Sequence, residues 1–151
     1  MPRVAYSACV TPSALPDGEP APDDGALPAS ALAEVGARGL SAYVHVPFCA
    51  TRCGYCDFNT YTAAELGSAP GASREAYLES VAREVALARG VLGDPPPFAT
   101  VFFGGGTPTL LDPAEQGGIL ARLRDEFGLA PDAAVTTEAN PDSVTPASLD
   151  P

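Results

Sequence analysis

Three of the four cysteines crowd into eight residues as Cys49-x-x-x-Cys53-x-x-Cys56, and the fourth, Cys9, stands alone. A disulfide framework needs an even number of cysteines in an oxidising compartment, and nothing in this chain points to secretion. Crowded thiols in a reducing compartment more often hold a metal. A 4Fe–4S cubane takes one thiolate per iron, so three thiolates leave one iron open to a small molecule, as a catalytic metal keeps an open position. Two other readings remain. One is a structural zinc with His45 as fourth ligand, which Pro47 between His45 and Cys49 makes awkward. The other is adventitious cysteines or a disulfide.

Two further segments can do chemistry. In Gly104-Gly105-Gly106-Thr107-Pro108-Thr109 the missing Cβ atoms let the backbone approach a ligand closely and present N–H and C=O groups to it. No Gly-Lys-Ser/Thr follows, so this is not a phosphate-binding loop of that kind. A plain sharp turn is the alternative. Glu138, just before Asn140-Pro141, offers a carboxylate that can accept hydrogen bonds from ribose hydroxyls; alone, such a residue is as readily just solvated.

The elements that must position these groups alternate between strand and helix. Ser41 to Val46 reads as a short strand closed by Pro47. Ser73 caps a helix running to about Arg89, with Tyr77, Val81, Val85 and Ala88 on one face; Gly90, Gly93 and Pro95-Pro96-Pro97 end it. Thr100 to Phe103 reads as a buried strand that stops at the glycines. Asp112, Pro113 and Glu115 combine an N-cap, a first-turn proline and a capping-box acid. They open a helix that buries Ile119, Leu120, Leu123 and Phe127 and ends at Gly128, although Gly117 and Gly118 each weaken it by about 1 kcal/mol relative to Ala. Ala134 to Glu138 is the third strand, and Thr145-Pro146 starts another helix. Successive βα units imply an α/β fold with parallel strands and right-handed crossovers. Ligands of such sheets bind at the strands' C-terminal ends, which is where the cysteines, the glycines and Glu138 fall.

Composition narrows the function. The chain has 151 residues, and 19 acids against 8 bases leave a net charge of −11. That length suits one domain, and the acidic balance argues against nucleic-acid binding. No apolar run approaches the roughly 20 residues of a membrane span, and there is no signal-peptide pattern, so a cytoplasmic chain with at most peripheral membrane contact is expected. Residues 1–40 hold six of the 17 prolines, five acids and one aromatic, Tyr6. Such a stretch buries too little apolar area to offset its ordering entropy, which predicts a disordered leader with at best a marginal helix around Ala29 to Val35.

In this order, Tyr43-Val44-His45-Val46-Pro47-Phe48-Cys49, the three-cysteine loop, the Gly-Gly-Gly-Thr-Pro-Thr run and Thr137-Glu138-Ala139-Asn140-Pro141 resemble radical S-adenosylmethionine (SAM) proteins of heme metabolism. The group is the one related to oxygen-independent coproporphyrinogen III oxidase, and the likeness covers residues 41–151. It implies the N-terminal half of a partial, TIM-like (β/α)6 barrel, and hence a piece of a longer protein that would fold poorly alone. It further implies that Cys49, Cys53 and Cys56 bind three irons of a 4Fe–4S cluster, and that the open iron takes the amino and carboxylate groups of SAM. By the same resemblance Gly105, Gly106 and Thr107 hold the methionyl end, Tyr43 and Tyr55 contact the cofactor, and Glu138 binds the ribose; His45 is structural. In the family, an electron from the reduced cluster splits the sulfonium carbon–sulfur bond and gives a 5′-deoxyadenosyl radical.

The resemblance leaves two functions. One is an oxidase that decarboxylates coproporphyrinogen III to protoporphyrinogen IX. The other is a heme chaperone that binds heme and delivers it to acceptor proteins, with an electron donor for the cluster. The catalytic oxidases carry a fourth cysteine two residues after the third; here that position is Phe58. Phenylalanine cannot replace a thiol in any chemical role, and this favours the chaperone.

Overall fold

The structure, a computed structural model, describes residues 22–37, 39–69 and 71–145. Strands β1 (Leu40–Val46), β4 (Phe98–Gly105) and β5 (Leu129–Thr137) form a parallel sheet in the order β1-β4-β5. Tyr43 lies opposite Phe102, which lies opposite Thr136. Between β1 and β4 come two two-residue strands, β2 (Phe48–Cys49) and β3 (Tyr61–Thr62), then helices α2 (Ala63–Leu66) and α3 (Arg74–Leu92). Helix α4 (Pro113–Phe127) joins β4 to β5, and α1 (Ala29–Ala33) precedes β1.

Side chains alternate across a strand. One face of the sheet buries Val44, Val46, Val101 and Phe103 together with Val85 of α3 and Ile119, Leu123 and Phe127 of α4. Phe98 and Phe127 meet with ring centroids 4.9 Å apart. Val135 shares that face, in register with Val101, yet stays 47% exposed; among the described residues no helix lies over it. The other face carries Tyr43, His45, Phe102 and Glu138.

The helix caps form as the sequence predicts. Ser73 accepts from the Ala76 N–H, and Asp112 and Glu115 make a capping box. Several expectations are corrected. Helix α3 runs through Gly90, because that position is exposed and costs only about 1 kcal/mol while Leu92 beyond it still packs on the core. It stops at Gly93, whose carbonyl accepts from the Arg89 guanidinium. Strand β4 extends to Gly105, so two of the glycines belong to the strand. Strand β5 begins at Leu129, directly after α4. Residues 22–37 hold turns and α1, which falls where the sequence allowed a marginal helix around Ala29 to Val35, and they touch the domain: a Cβ on Gly25 would lie 3.2 Å from Leu87, and one on Gly36 would collide with Pro96. The leader's first 21 residues, Cys9 among them, lie outside the described residues, as does the helix expected from Pro146 onward.

Candidate functional site

The cysteine loop is a closed excursion between β1 and α2. Its two ends run side by side, because β2 and β3 pair in parallel, Phe48 with Tyr61 and Cys49 with Thr62, and the Tyr61 N–H donates to the Pro47 carbonyl at 2.7 Å. Inside the loop the Cys56 N–H donates to Cys53 at 3.0 Å. Arg52 holds the loop from within, donating to the Thr60 carbonyl at 2.5 Å and to Glu65 at 2.9 Å. Thr62 and Glu65 form a capping box at the start of α2. The Thr62 N–H, its hydroxyl and Arg52 together hold the Glu65 carboxyl below its ordinary value. The Cys56 thiol is likewise pulled below the usual thiol range, chiefly by the Thr60 hydroxyl and then by the Phe58 N–H.

The glycine run is strapped to the start of this loop. The Gly106 N–H donates to Val46 at 2.8 Å and the Thr107 N–H to Phe48 at 2.7 Å. Gly105 has φ +118°, a conformation that disfavours any side chain. A Cβ on Gly106 would lie 2.4 Å from the Phe48 carbonyl oxygen and 2.8 Å from Cys49 Sγ. Glu138 is anchored at the end of β5 by its own N–H on Phe103, and its carboxylate accepts from the Gly105 N–H at 3.3 Å.

These segments enclose an open cavity of about 770 Å³. Its walls include Cys49, Cys53 and Cys56, with Tyr55, Gly105, Gly106, Thr107 and Glu138, so eight of the nine residues singled out by sequence come together. Tyr55 is 90% exposed and Phe58, on the same wall, 68%. Tyr43 is the one that does not line it. It sits short of the strand end, roughly 7–10 Å below the rim at about 3.3 Å per residue, stacked on Phe102 with centroids 6.1 Å apart. Its ring and the Glu138 carboxylate crowd the same point over Gly104.

The sequence reading missed Thr60, the Arg52–Glu65 pair and Asn140 as parts of the site. Asn140 lines the cavity and takes the Asp142 N–H on its side chain. The Thr62-x-x-Glu65 pattern was a readable capping-box signal, and Asn140-Pro141 a readable turn. Nothing local marks Thr60, whose role depends on what the loop folds against.

The donor set fits a cubane. The three thiols are unpaired with one another. They line a common wall. A cubane takes each thiolate on a different iron. His45 is committed elsewhere: Nε2 donates to the Asn59 carbonyl at 2.8 Å, and Nδ1 lies 3.1 Å from the Tyr43 hydroxyl. With Nε2 the donor, the neutral ring accepts at Nδ1, and neither nitrogen is free for a metal.

Comparison with known proteins agrees with this geometry. The sequence pattern of the Radical SAM superfamily matches residues 43–150. Heme chaperone HemW of Mycobacterium tuberculosis is 50% identical over 115 residues, covering 76% of this chain and 28% of that protein. HemW of Escherichia coli is 39% identical over 106 residues, covering 70% and 26%. The solved structure of coproporphyrinogen III oxidase (HemN) from Escherichia coli, a radical SAM enzyme, superposes with a TM-score of 0.64 at 28% identity, over 77% of this chain and 25% of that one. The chain thus spans about a quarter of the length of these relatives, and its parallel sheet matches a radical SAM, TIM-barrel-like fold. No helix among the described residues is long and apolar enough to cross a membrane. This chain belongs to the radical SAM superfamily, and membership implies a 4Fe–4S cluster and SAM as its cofactors.

Proposed function

We propose that the protein containing this chain is a heme chaperone that binds heme and passes it to acceptor proteins in the cytoplasm. Residues 41–151 would form the N-terminal part of its radical SAM barrel. In this reading Cys49, Cys53 and Cys56 hold the cluster; Gly105, Gly106 and Thr107 hold the methionyl end of SAM; Glu138 takes the ribose hydroxyls. Tyr55 covers the cofactor from the cavity wall, and Tyr43 meets whatever reaches down past Glu138. When bound, the cluster and SAM supply one-electron reductive chemistry, fed by an external electron donor; the residues named bind, orient and exclude water.

The observation that carries the chaperone over the oxidase is Phe58. It stands on the cavity wall beside the thiols, where the related oxidases carry a further cysteine. An aromatic ring there supplies no proton and binds no metal. The 50% identity to a heme chaperone supports the same choice.

The test is anaerobic reconstitution of the full-length protein, followed by a heme titration and an assay with coproporphyrinogen III, SAM and a reductant. Expected are about four irons per chain, retained in Cys9→Ala and lost in Cys53→Ala, with heme bound and no turnover. Sustained formation of protoporphyrinogen IX would overturn the chaperone in favour of the oxidase.

A further inference from the structure

Thr60 is the one buried polar side chain among the described residues, at 1% exposure, and it sits in a loop that is otherwise open to solvent. A buried hydroxyl left without a partner costs about 1–3 kcal/mol, so its partner shows why it is there. The backbone of Thr60 is satisfied by Phe58, which takes its N–H at 2.8 Å, and by Arg52, which donates to its carbonyl. That leaves the hydroxyl for one group, Cys56 Sγ, at 3.5 Å. Cys49 instead lies against the Gly106 backbone, and Cys53 is exposed. Of the three thiols, only Cys56 meets a side-chain hydroxyl.

We propose that Thr60 is a positioning residue whose hydroxyl donates to the Cys56 sulfur and thereby raises the reduction potential of the cluster. A cluster-bound cysteine is a thiolate with no proton to give, so the direction of the hydrogen bond is fixed: oxygen donates, sulfur accepts. Reduction adds negative charge that spreads onto the ligand sulfurs, and a donor aimed at one of them stabilises the reduced state more than the oxidised one. Arg52 completes the device. By gripping the Thr60 carbonyl from inside the loop, it holds the hydroxyl under Cys56. The inference rests on the assignment of Cys56 as a cluster ligand.

The experiment measures the cluster's midpoint potential by anaerobic redox titration of the full-length, reconstituted protein, alongside its iron content. Thr60→Val removes the donor and keeps the shape; Thr60→Ser keeps the donor and removes a methyl group. At equal iron content, Thr60→Val is expected to titrate at a more negative potential than wild type, and Thr60→Ser close to wild type. If Thr60→Val takes up no cluster, Thr60→Ala joins the series; cluster loss in both with retention in Thr60→Ser still supports the hydroxyl. Equal potentials in wild type and Thr60→Val overturn the inference, as does a Thr60→Ser that shifts or loses its cluster as Thr60→Val does, since packing alone would then be at work. A wild-type protein that takes up no iron would instead remove the cluster assignment itself, and this inference with it.

Discussion

Between the sheet and its two helices, Val46, Val101, Phe103 and Leu111 are almost wholly buried and hold their places by apolar contact. Between Ala50 and Thr60 only Thr60 is buried, and the chain is kept in shape by Arg52, by backbone hydrogen bonds and by the short β2–β3 pairing. Burial has no direction, so the helix-covered layer tolerates side chains of similar size but not missing volume. Hydrogen bonds are directional and individually modest, so the loop tolerates exposure but not the loss of a particular donor. The site therefore has a layer that decides whether the domain folds and a loop that decides whether three thiols face one cavity.

The largest effect is expected in the buried layer. Phe103→Ala should cost about 3–5 kcal/mol, a large share of the ~5–15 kcal/mol that holds a domain together. Urea denaturation measures it; a loss below 1 kcal/mol would mean the sheet–helix contact is not what holds the fold. Next comes the seam between the regions. Gly106→Ala puts a methyl group against the Phe48 carbonyl and Cys49 Sγ, which should cost about 1–3 kcal/mol by overpacking and reduce iron uptake severalfold. Unchanged iron content would show that the two segments are not tightly seated.

The two regions should also fail at opposite ends of the pH scale. Burial pushes the Tyr77 hydroxyl up to about 12 from 10.0, while that hydroxyl donates to the His45 carbonyl at 2.9 Å. Its folded value is raised, so its stabilisation is full below pH 10 and lost as pH climbs toward 12. Tyr77→Phe should remove that alkaline step and cost about 1 kcal/mol at neutral pH. Glu65 in the loop has a lowered value, so its contribution is present above its ordinary 4.5 and lost as pH falls below it. The protection of the Thr62 and Glu65 amides, measured against their intrinsic exchange rates at each pH, should fall on acidification before that of the sheet amides; simultaneous loss would erase the distinction.

The smallest global effect is expected from Arg52→Ala. Arg52 and Glu65 are both exposed, and such pairs contribute about 0–1 kcal/mol, so the denaturation midpoint should hardly move. Alkylation of Cys53 and Cys56 in the cluster-free protein should nonetheless become faster as the loop loosens. A large drop in midpoint would place the loop inside the cooperative unit.

The same division explains what could be read in advance. The strands and helices of the covered layer follow from apolar periodicity and from caps such as Ser73 and Asp112, which are local signals, and their parallel order follows from alternation. The thiols, the glycines and Glu138 were legible because strand ends share one rim. The depth of Tyr43 along its strand, stacked on Phe102 and beside Glu138 over Gly104, was not legible, because a resemblance names a position without saying how far it lies from the rim. The β2–β3 pairing, the burial of Thr60 and the docking of residues 22–37 were not legible, since two-residue strands and a lone hydroxyl acquire meaning only from what the chain returns to.

The sheet order β1-β4-β5 is also the order in which the strands leave the ribosome. Each parallel partner can dock only after its crossover helix has been made, and by then the edge it joins is already in place. Assembly can thus proceed in one direction during synthesis, domains generally folding from the N-terminal side first. The waiting edge at each stage is shielded only by the speed with which the next βα unit arrives. Slow translation after Thr137 would leave the β5 edge and Val135 waiting together, and nascent chains paused there are the ones a chaperone should capture.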